Sequence, residues 1–367
     1  MTLLAPLHSV LAKTGLDAVC IVPGANFLRL YNHEFHQMER PLVIIVPARG
    51  VAVAVVPNIE LGSFTALGFD GLVFDWRDEA GYMDAFMQAG AALPQLAAGS
   101  RVGVEGQRMR VFDFMALQKA LPACAFVDAH AEISSIRLHK TPDEIARLKQ
   151  AIMRSEAALE ATIAQVQVGQ TEKQVEAILL SELFRAGCDG LSFSPIVAAG
   201  DNAANSHAVP RENYKIKAGD ALLIDFGGRY QHFSADITRT FFVGHVSDED
   251  RAFYNTVLEA NERGRAVSKA GVTAGFVDDE TAKVLERSQF AKYKTHKTGH
   301  GLGLDVHEAP QIMRGNFDVL EPGMVITIEP GLYREGECGV RIEDDILITE
   351  NGHECLTQFS RALRVIG

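Results

Sequence analysis

Hydrophobic positions change their spacing along this chain. In the first third, short apolar runs alternate with turns. Residues 42–46 and 51–56 are two apolar runs around Pro47-Ala-Arg-Gly50, the pattern of adjacent strands joined by a tight turn. Residues 84–93 read as a helix and 101–105 as a further strand, punctuated by Pro94, Gly99 and Gly103. The opening MTLLAPLHSVLAKTGLDAVC is interrupted by His8, Lys13 and Asp17 and lacks a basic start, so it predicts an amphipathic helix rather than a secretion signal. Together these elements predict a small α/β domain over residues 1–132.

From residue 133 the pattern lengthens to helical spacing. Thr141-Pro-Asp-Glu144 supplies an N-cap, a proline at the first helical position and a glutamate three residues after the cap, a capping box. The helix is expected to reach about residue 168, before Gly169. A second box, Thr171-x-x-Gln174, starts a helix ending at Gly187, and further helices are expected over 248–269 and 278–289. Two of the strand-like segments around these helices repeat. Gly219-Asp-Ala-Leu-Leu-Ile-Asp225-Phe-Gly227 and Gly323-Met-Val-Ile-Thr-Ile-Glu329-Pro-Gly331 match at a constant offset of 104 residues. Each is a strand that ends by presenting a carboxylate, followed by a turn. Residues 133–367 therefore read as a second domain with internal pseudo-symmetry.

A chain of 367 residues accommodates two such domains. A net charge of −12 and a pI near 5.5 argue against a nucleic-acid or anionic-membrane surface, which would need a basic patch. No stretch approaches the ~18–20 uncharged apolar residues of a membrane helix. Five cysteines, odd in number and without CxxC spacing, point to free thiols in a reducing cytoplasm.

The chemistry concentrates in the second domain. Asp225, Asp236, His300, Glu329 and Glu343 each sit in a Gly-rich or strand-like segment. A turn near residues 228–232 would bring Asp225 and Asp236 together. Across 340–348, read as one strand, period-two alternation puts Arg341 and Glu343 on one face. His300 lies in Thr298-Gly-His-Gly-Leu-Gly303, whose glycines allow close backbone approach. Any one of these acids alone could be a turn or cap residue. Four carboxylates with one imidazole suit a pair of divalent ions of intermediate hardness, which would neutralise acids that are costly to bury. Two ions bridged by carboxylates can hold a hydroxide and polarise a carbonyl, a hydrolytic pattern.

The segments IDFGGRYQHFSADITRTF, GHGLGLDVHE, GMVITIEPGLY and GVRIEDDILITENG resemble the pita-bread metallopeptidases that include prolidase and aminopeptidase P. The likeness covers roughly residues 133–367. It implies an α+β chain: a small N-terminal α/β creatinase-like domain and a C-terminal pita-bread domain with pseudo-two-fold symmetry. It also implies two divalent ions per chain, Asp225 chelating one, His300 and Glu329 on the other, and Asp236 and Glu343 bridging both. Manganese is the first expectation, with cobalt, iron and zinc as alternatives.

His207, in Asn202-Ala-Ala-Asn-Ser-His-Ala-Val-Pro210, matches the histidine that such enzymes place beside substrate, and His307 matches the one that stabilises the developing oxyanion. A loop histidine and a structural histidine are the plainer alternatives. Glu329 would relay a proton to the leaving nitrogen. Arg341 would meet a substrate carboxylate, or else form an ion pair with Asp344, Asp345 or another acid. His296 is a weaker pocket candidate.

The implied substrate is a proline-containing di- or oligopeptide. About 130 residues precede the catalytic domain, unlike methionine aminopeptidase. So short an N-terminal domain favours a dipeptidase over aminopeptidase P. A homodimer is implied, with one N-terminal domain over the partner's site. His33, His36 and Arg40 are the N-terminal residues best placed to reach a substrate, or else form a hydrated loop. Creatinase and scaffold-type relatives lack the metal set, so a metal-free binding module is the competing class.

Overall fold

The apolar runs around Pro47-Ala-Arg-Gly50 form the antiparallel strands Val43–Pro47 and Ala52–Pro57, with Val43 opposite Val55. They belong to a six-stranded sheet in the order Gly71–Trp76, Ala52–Pro57, Val43–Pro47, Ala18–Ile21, Arg101–Val104, Ala125–Asp128. Val43–Pro47 is antiparallel to both of its neighbours, and every other adjacent pair is parallel. The central strands read as continuous apolar runs because both faces are covered. Val19, Ile21, Ile44 and Val46 enter one core, while Ala18, Cys20, Val43 and Ile45 enter the other. The computed structural model describes residues 3–367. These part after Arg137 into two compact units, of which this sheet is the first. The expected N-terminal helix spans Ala5–Thr14 and stops at Gly15, whose φ of 66° suits glycine.

In the second unit both capping boxes form. Thr141 accepts from the Glu144 amide at 3.3 Å, and Glu144 accepts from the Thr141 amide at 2.8 Å. The resulting helix, Pro142–Ile163, stops short of residue 168 because the chain turns through Gln165 and Val166 before Gly169 (φ 92°). Glu172–Arg185 and Asp248–Val267 follow the expected spans closely. The fourth helix, Ala274–Arg287, starts before residue 278. Thr273 caps it, and the buried Asp278 turns inward to accept the Thr298 amide at 2.9 Å.

The two helix pairs back two sheets. One runs Ile196–Ala199, Ala221–Phe226, Ile237–Val243, with Val365–Ile366 at its edge. The other runs Glu308–Ile312, Gly299–Gly301, Val325–Ile328, Asp344–Thr349, Gly352–Cys355. The 104-residue repeat is realised in their matching strands. Gly219 (φ 94°) leads into Ala221–Phe226, and Gly323 (φ 89°) leads into Val325–Ile328. Leu222, Ile224 and Phe226 pack on the first helix pair, and Ile326 and Ile328 on the second. Alternation then turns Asp225 away from its helices.

Residues 340–348 do not form one strand. Cys338–Arg341 pairs with Gly331–Arg334, and Asp344–Thr349 pairs with Val325–Ile328, so the chain crosses between sheets at residues 342–343. Among the described residues no helix is long and apolar enough to cross a membrane. The five cysteines carry free thiols.

Candidate metal centre

The hairpin excursion through Gln231 and His232, both at positive φ, returns Ile237–Val243 antiparallel to Ala221–Phe226. Thr238 then faces Asp225, and Asp236 lies just beyond the last paired residue, Ile237. In the other half, Glu329 follows Ile328, which pairs with Asp344, the residue after Glu343. The Glu329 amide donates to Thr298 O at 2.7 Å and the His300 amide to Thr327 Oγ1 at 3.2 Å, which fixes the His300 strand.

These strand ends converge. Three groups of ligand atoms each lie within 4.8 Å of one another: Asp225, Asp236 and Glu343; His300, Glu329 and Glu343; Asp236, His300 and His307. All five sequence candidates are brought together, and His307 joins them. Its ring meets that of His300 edge-on, with centroids 4.1 Å apart. His207 lies outside these groups, on the exposed loop after Ile196–Ala199, near enough that a charge there acts on His296 and His307.

The electrostatics are those of crowded acids. Burial, then Glu343 and Asp225, push Asp236 well above the ordinary carboxyl range. Burial, then Glu329 and Asp225, do the same to Glu343. Glu329 is raised to about 7, by burial first, with Arg341 opposing. Burial and His307 hold His300 down to about 3, so its imidazole is neutral. His300 Nδ1 lies 3.0 Å from Gly301 O, which can only accept, so Nδ1 carries the proton and Nε2 is bare. That bare nitrogen faces Asp236 Oδ2 at 3.6 Å and Glu329 Oε1 at 3.3 Å. Three groups that can each offer a lone pair converge on one place, where a cation or the acids' own protons must sit to relieve the crowding. Asp225 Oδ1 is likewise buried with no hydrogen-bond partner. Both observations fit divalent cations, which need oxygen and imidazole lone pairs.

Arg341 is buried and its three donor nitrogens are engaged. They reach Asp225 Oδ2 at 2.6 Å, Tyr333 Oη at 2.7 Å and Thr238 Oγ1 at 3.1 Å. Its ion-pair partner is Asp225, not Asp344 or Asp345. Asp344 instead pairs with Arg239 at 2.8 Å and Arg361 at 2.6 Å, and Asp345 accepts the Asp236 amide at 3.3 Å.

Sequence reasoning missed Thr238 and Tyr333. Thr238 Oγ1 donates to Glu343 Oε2 at 2.6 Å while accepting from Arg341, so Arg341 and Glu343 do share a side. Tyr333 donates to His296 Nε2 at 2.8 Å, and His296 Nδ1 donates to Lys297 O at 2.7 Å. Burial, then Arg341, lower His296 to about 4. Thr238 was findable, two residues from Asp236 on the same strand face.

Gly299 tests the geometry. A Cβ there would sit 2.0 Å from Thr327 O, which is backbone and cannot swing away. Gly299→Ala is expected to cost about 1–3 kcal/mol by overpacking. It should also move His300 from Glu329, so metal content falls with the melting temperature; a variant with full metal content would contradict this placement.

A model of metallopeptidase family M24 matches residues 146–350, and one of the creatinase/prolidase N-terminal domain matches residues 4–139. An uncharacterized peptidase of Staphylococcus epidermidis is 31% identical, over 98% of this chain and 100% of its own. The prolidase from Thermococcus sibiricus superposes with a TM-score of 0.93 at 31% identity, covering 100% of both chains. The X-Pro aminopeptidase from Thermotoga maritima superposes at 0.79 and 29% identity, covering 98% of this chain and 100% of that one. The chain belongs to metallopeptidase family M24, an α+β enzyme in which a creatinase-like N-terminal domain precedes a pita-bread catalytic domain.

Proposed function

We propose that the protein hydrolyses the Xaa-Pro peptide bond, in dipeptides above all, with two divalent ions held by Asp225, Asp236, His300, Glu329 and Glu343. The observation that carries this reading is the bare His300 Nε2 facing two carboxylate oxygens at 3.3 and 3.6 Å. Asp225 would serve one ion, His300 and Glu329 the other, and Asp236 and Glu343 both. Such ions, when bound, polarise the scissile carbonyl and lower the pKa of water. Oxygen-rich ligands support manganese, with cobalt, iron or zinc as alternatives.

The chain's own residues supply the rest. Arg341 and Thr238 hold Asp225 and Glu343 in register, and the Gly301 carbonyl fixes the His300 tautomer. The amide nitrogen of an Xaa-Pro bond carries no hydrogen, so the departing proline must gain a proton. Glu329 relays it: its carboxylate takes up the proton that the attacking water loses and passes it to that nitrogen. His307, beside His300, donates to the carbonyl oxygen as charge develops there. His207 orients the substrate from the facing loop. Free thiols support a cytoplasmic setting, and the family likeness supports a homodimer.

Likeness to the Thermococcus prolidase supports dipeptides, and likeness to the Thermotoga aminopeptidase supports longer peptides. After metal stripping and manganese restoration, cleavage of an Xaa-Pro dipeptide is expected to exceed that of an Xaa-Pro-Xaa tripeptide. The reverse order would make the enzyme an aminopeptidase. Silence on both with two ions bound would sink the substrate class.

A further inference from the structure

The loop that carries His207 is held by a carboxylate that belongs to none of the ligand groups of the metal centre. Glu172, fully buried in the first turn of Glu172–Arg185, takes up both ends of it. Its Oε1 accepts the Ala199 amide at 2.8 Å, where the loop leaves its strand. Its Oε2 accepts the Arg211 amide at 2.6 Å, where the loop ends, and the Asn202 side chain at 3.0 Å. The Arg211 guanidinium closes on the same carboxylate at 2.9 Å, on Ala199 O at 2.9 Å and on Asp201 at 3.0 Å. Asn202 also donates to Val209 O at 3.2 Å, drawing the loop's far side back on itself.

The first turn of the loop, Gly200–Ala204, rests on the strand Cys338–Arg341. A Cβ at Gly339 would lie 1.9 Å from Ala203 O, so the strand bearing Arg341 packs directly on this turn. His207, itself exposed, thus projects from a segment fixed in its first turn and at its far end.

We infer that Glu172, clamped by Arg211, is a positioning residue for the reaction: it fixes the loop that presents His207 to the substrate. This rests on the functional reading above. A clamp at both ends closes the loop in advance, so little ordering is left for substrate binding to supply.

The test is made on the metal-loaded enzyme with Glu172→Gln, His207→Ala and the double variant. Hydrogen exchange of peptides spanning 196–212 is expected to quicken about tenfold or more in Glu172→Gln, with other segments and metal content as in wild type. For Xaa-Pro dipeptide cleavage, Glu172→Gln is expected to cost about tenfold in kcat/KM, but less than about twofold when His207 is already Ala. Unchanged exchange overturns the inference. So does a loss that is the same in both backgrounds, as general damage would give. If Glu172→Gln fails to fold, Arg211→Lys is read in the same way, since it keeps the charge but loses the fork. A wild type silent on Xaa-Pro peptides removes the functional reading instead, and the exchange measurement then decides whether Glu172 holds the loop.

Discussion

Asp236→Asn is expected to abolish metal binding and hydrolysis together, with activity falling roughly a thousandfold or more, the several kcal/mol that metal charge stabilisation supplies. Asp236 belongs to two of the three ligand groups, so no single substitution except at His300 or Glu343 reaches as much of the site. Asparagine keeps the shape and the backbone donation to Asp345 but lacks the charge. The fold itself should survive. Asp236 is crowded by Glu343 and Asp225, and its oxygen faces a bare imidazole nitrogen at 3.6 Å. Wild type meets that crowding by taking up protons, which it loses as pH rises, whereas an amide is uncharged and offers that nitrogen a donor at every pH. With metal stripped from both proteins, the variant should therefore be the more stable towards pH 8, by about 1–3 kcal/mol. Loaded with metal, the wild type should melt highest. Full activity in the variant, or a stripped variant less stable than stripped wild type towards pH 8, would contradict the site as described.

Chelation is expected to reverse the pH dependence of stability. Asp236, Glu343 and Glu329 all have folded pKa values above the ordinary range, Glu329 at about 7. Between the unfolded carboxyl value near 4 and these raised values, the stripped folded protein binds more protons than the unfolded chain. The stabilisation is complete below the unfolded pKa and is lost as pH rises through the folded one. Each such proton changes the unfolding constant by about tenfold per pH unit. The stripped enzyme should thus lose stability from pH 5 to pH 8. With ions bound the sign inverts, because ligands must be deprotonated to bind and stability grows with pH. Melting curves across this range, with and without chelator, read the crossing directly. A stripped protein whose melting temperature rises with pH would show that the carboxylates are not crowded as described.

Much of the site was legible because its signals are local. A carboxylate placed at the end of an apolar run, with glycine two residues on, marks a strand that presents an acid, and the 104-residue repeat marks it twice. The helix starts at Thr141 and Thr171 were equally plain, since a capping box is closed within four residues. The start at Thr273 was less so. Thr273 caps through a single side-chain bond, and the more conspicuous Asp278 is an interior acceptor for Thr298, 20 residues away.

What stayed hidden has long sequence separation. Arg341 meets Asp225 across 116 residues and Thr238 across 103, and no local pattern distinguishes Asp225 from the adjacent Asp344 and Asp345 as its partner. The break at residues 342–343 was invisible for the same reason. Alternation holds on both sides of it, and only the choice of pairing partner divides one strand into two. By itself, then, the sequence determined the first domain's central strands, the two capping boxes and the identity of the four acids and one imidazole that converge, because short-range hydrogen bonds and periodicity encode them. Only the tertiary structure decided which acid the buried arginine neutralises, that Thr238 and Tyr333 brace it, and that Glu172 closes the His207 loop. Those are contests among chemically equivalent groups, and burial and distance settle them once the sheets have met.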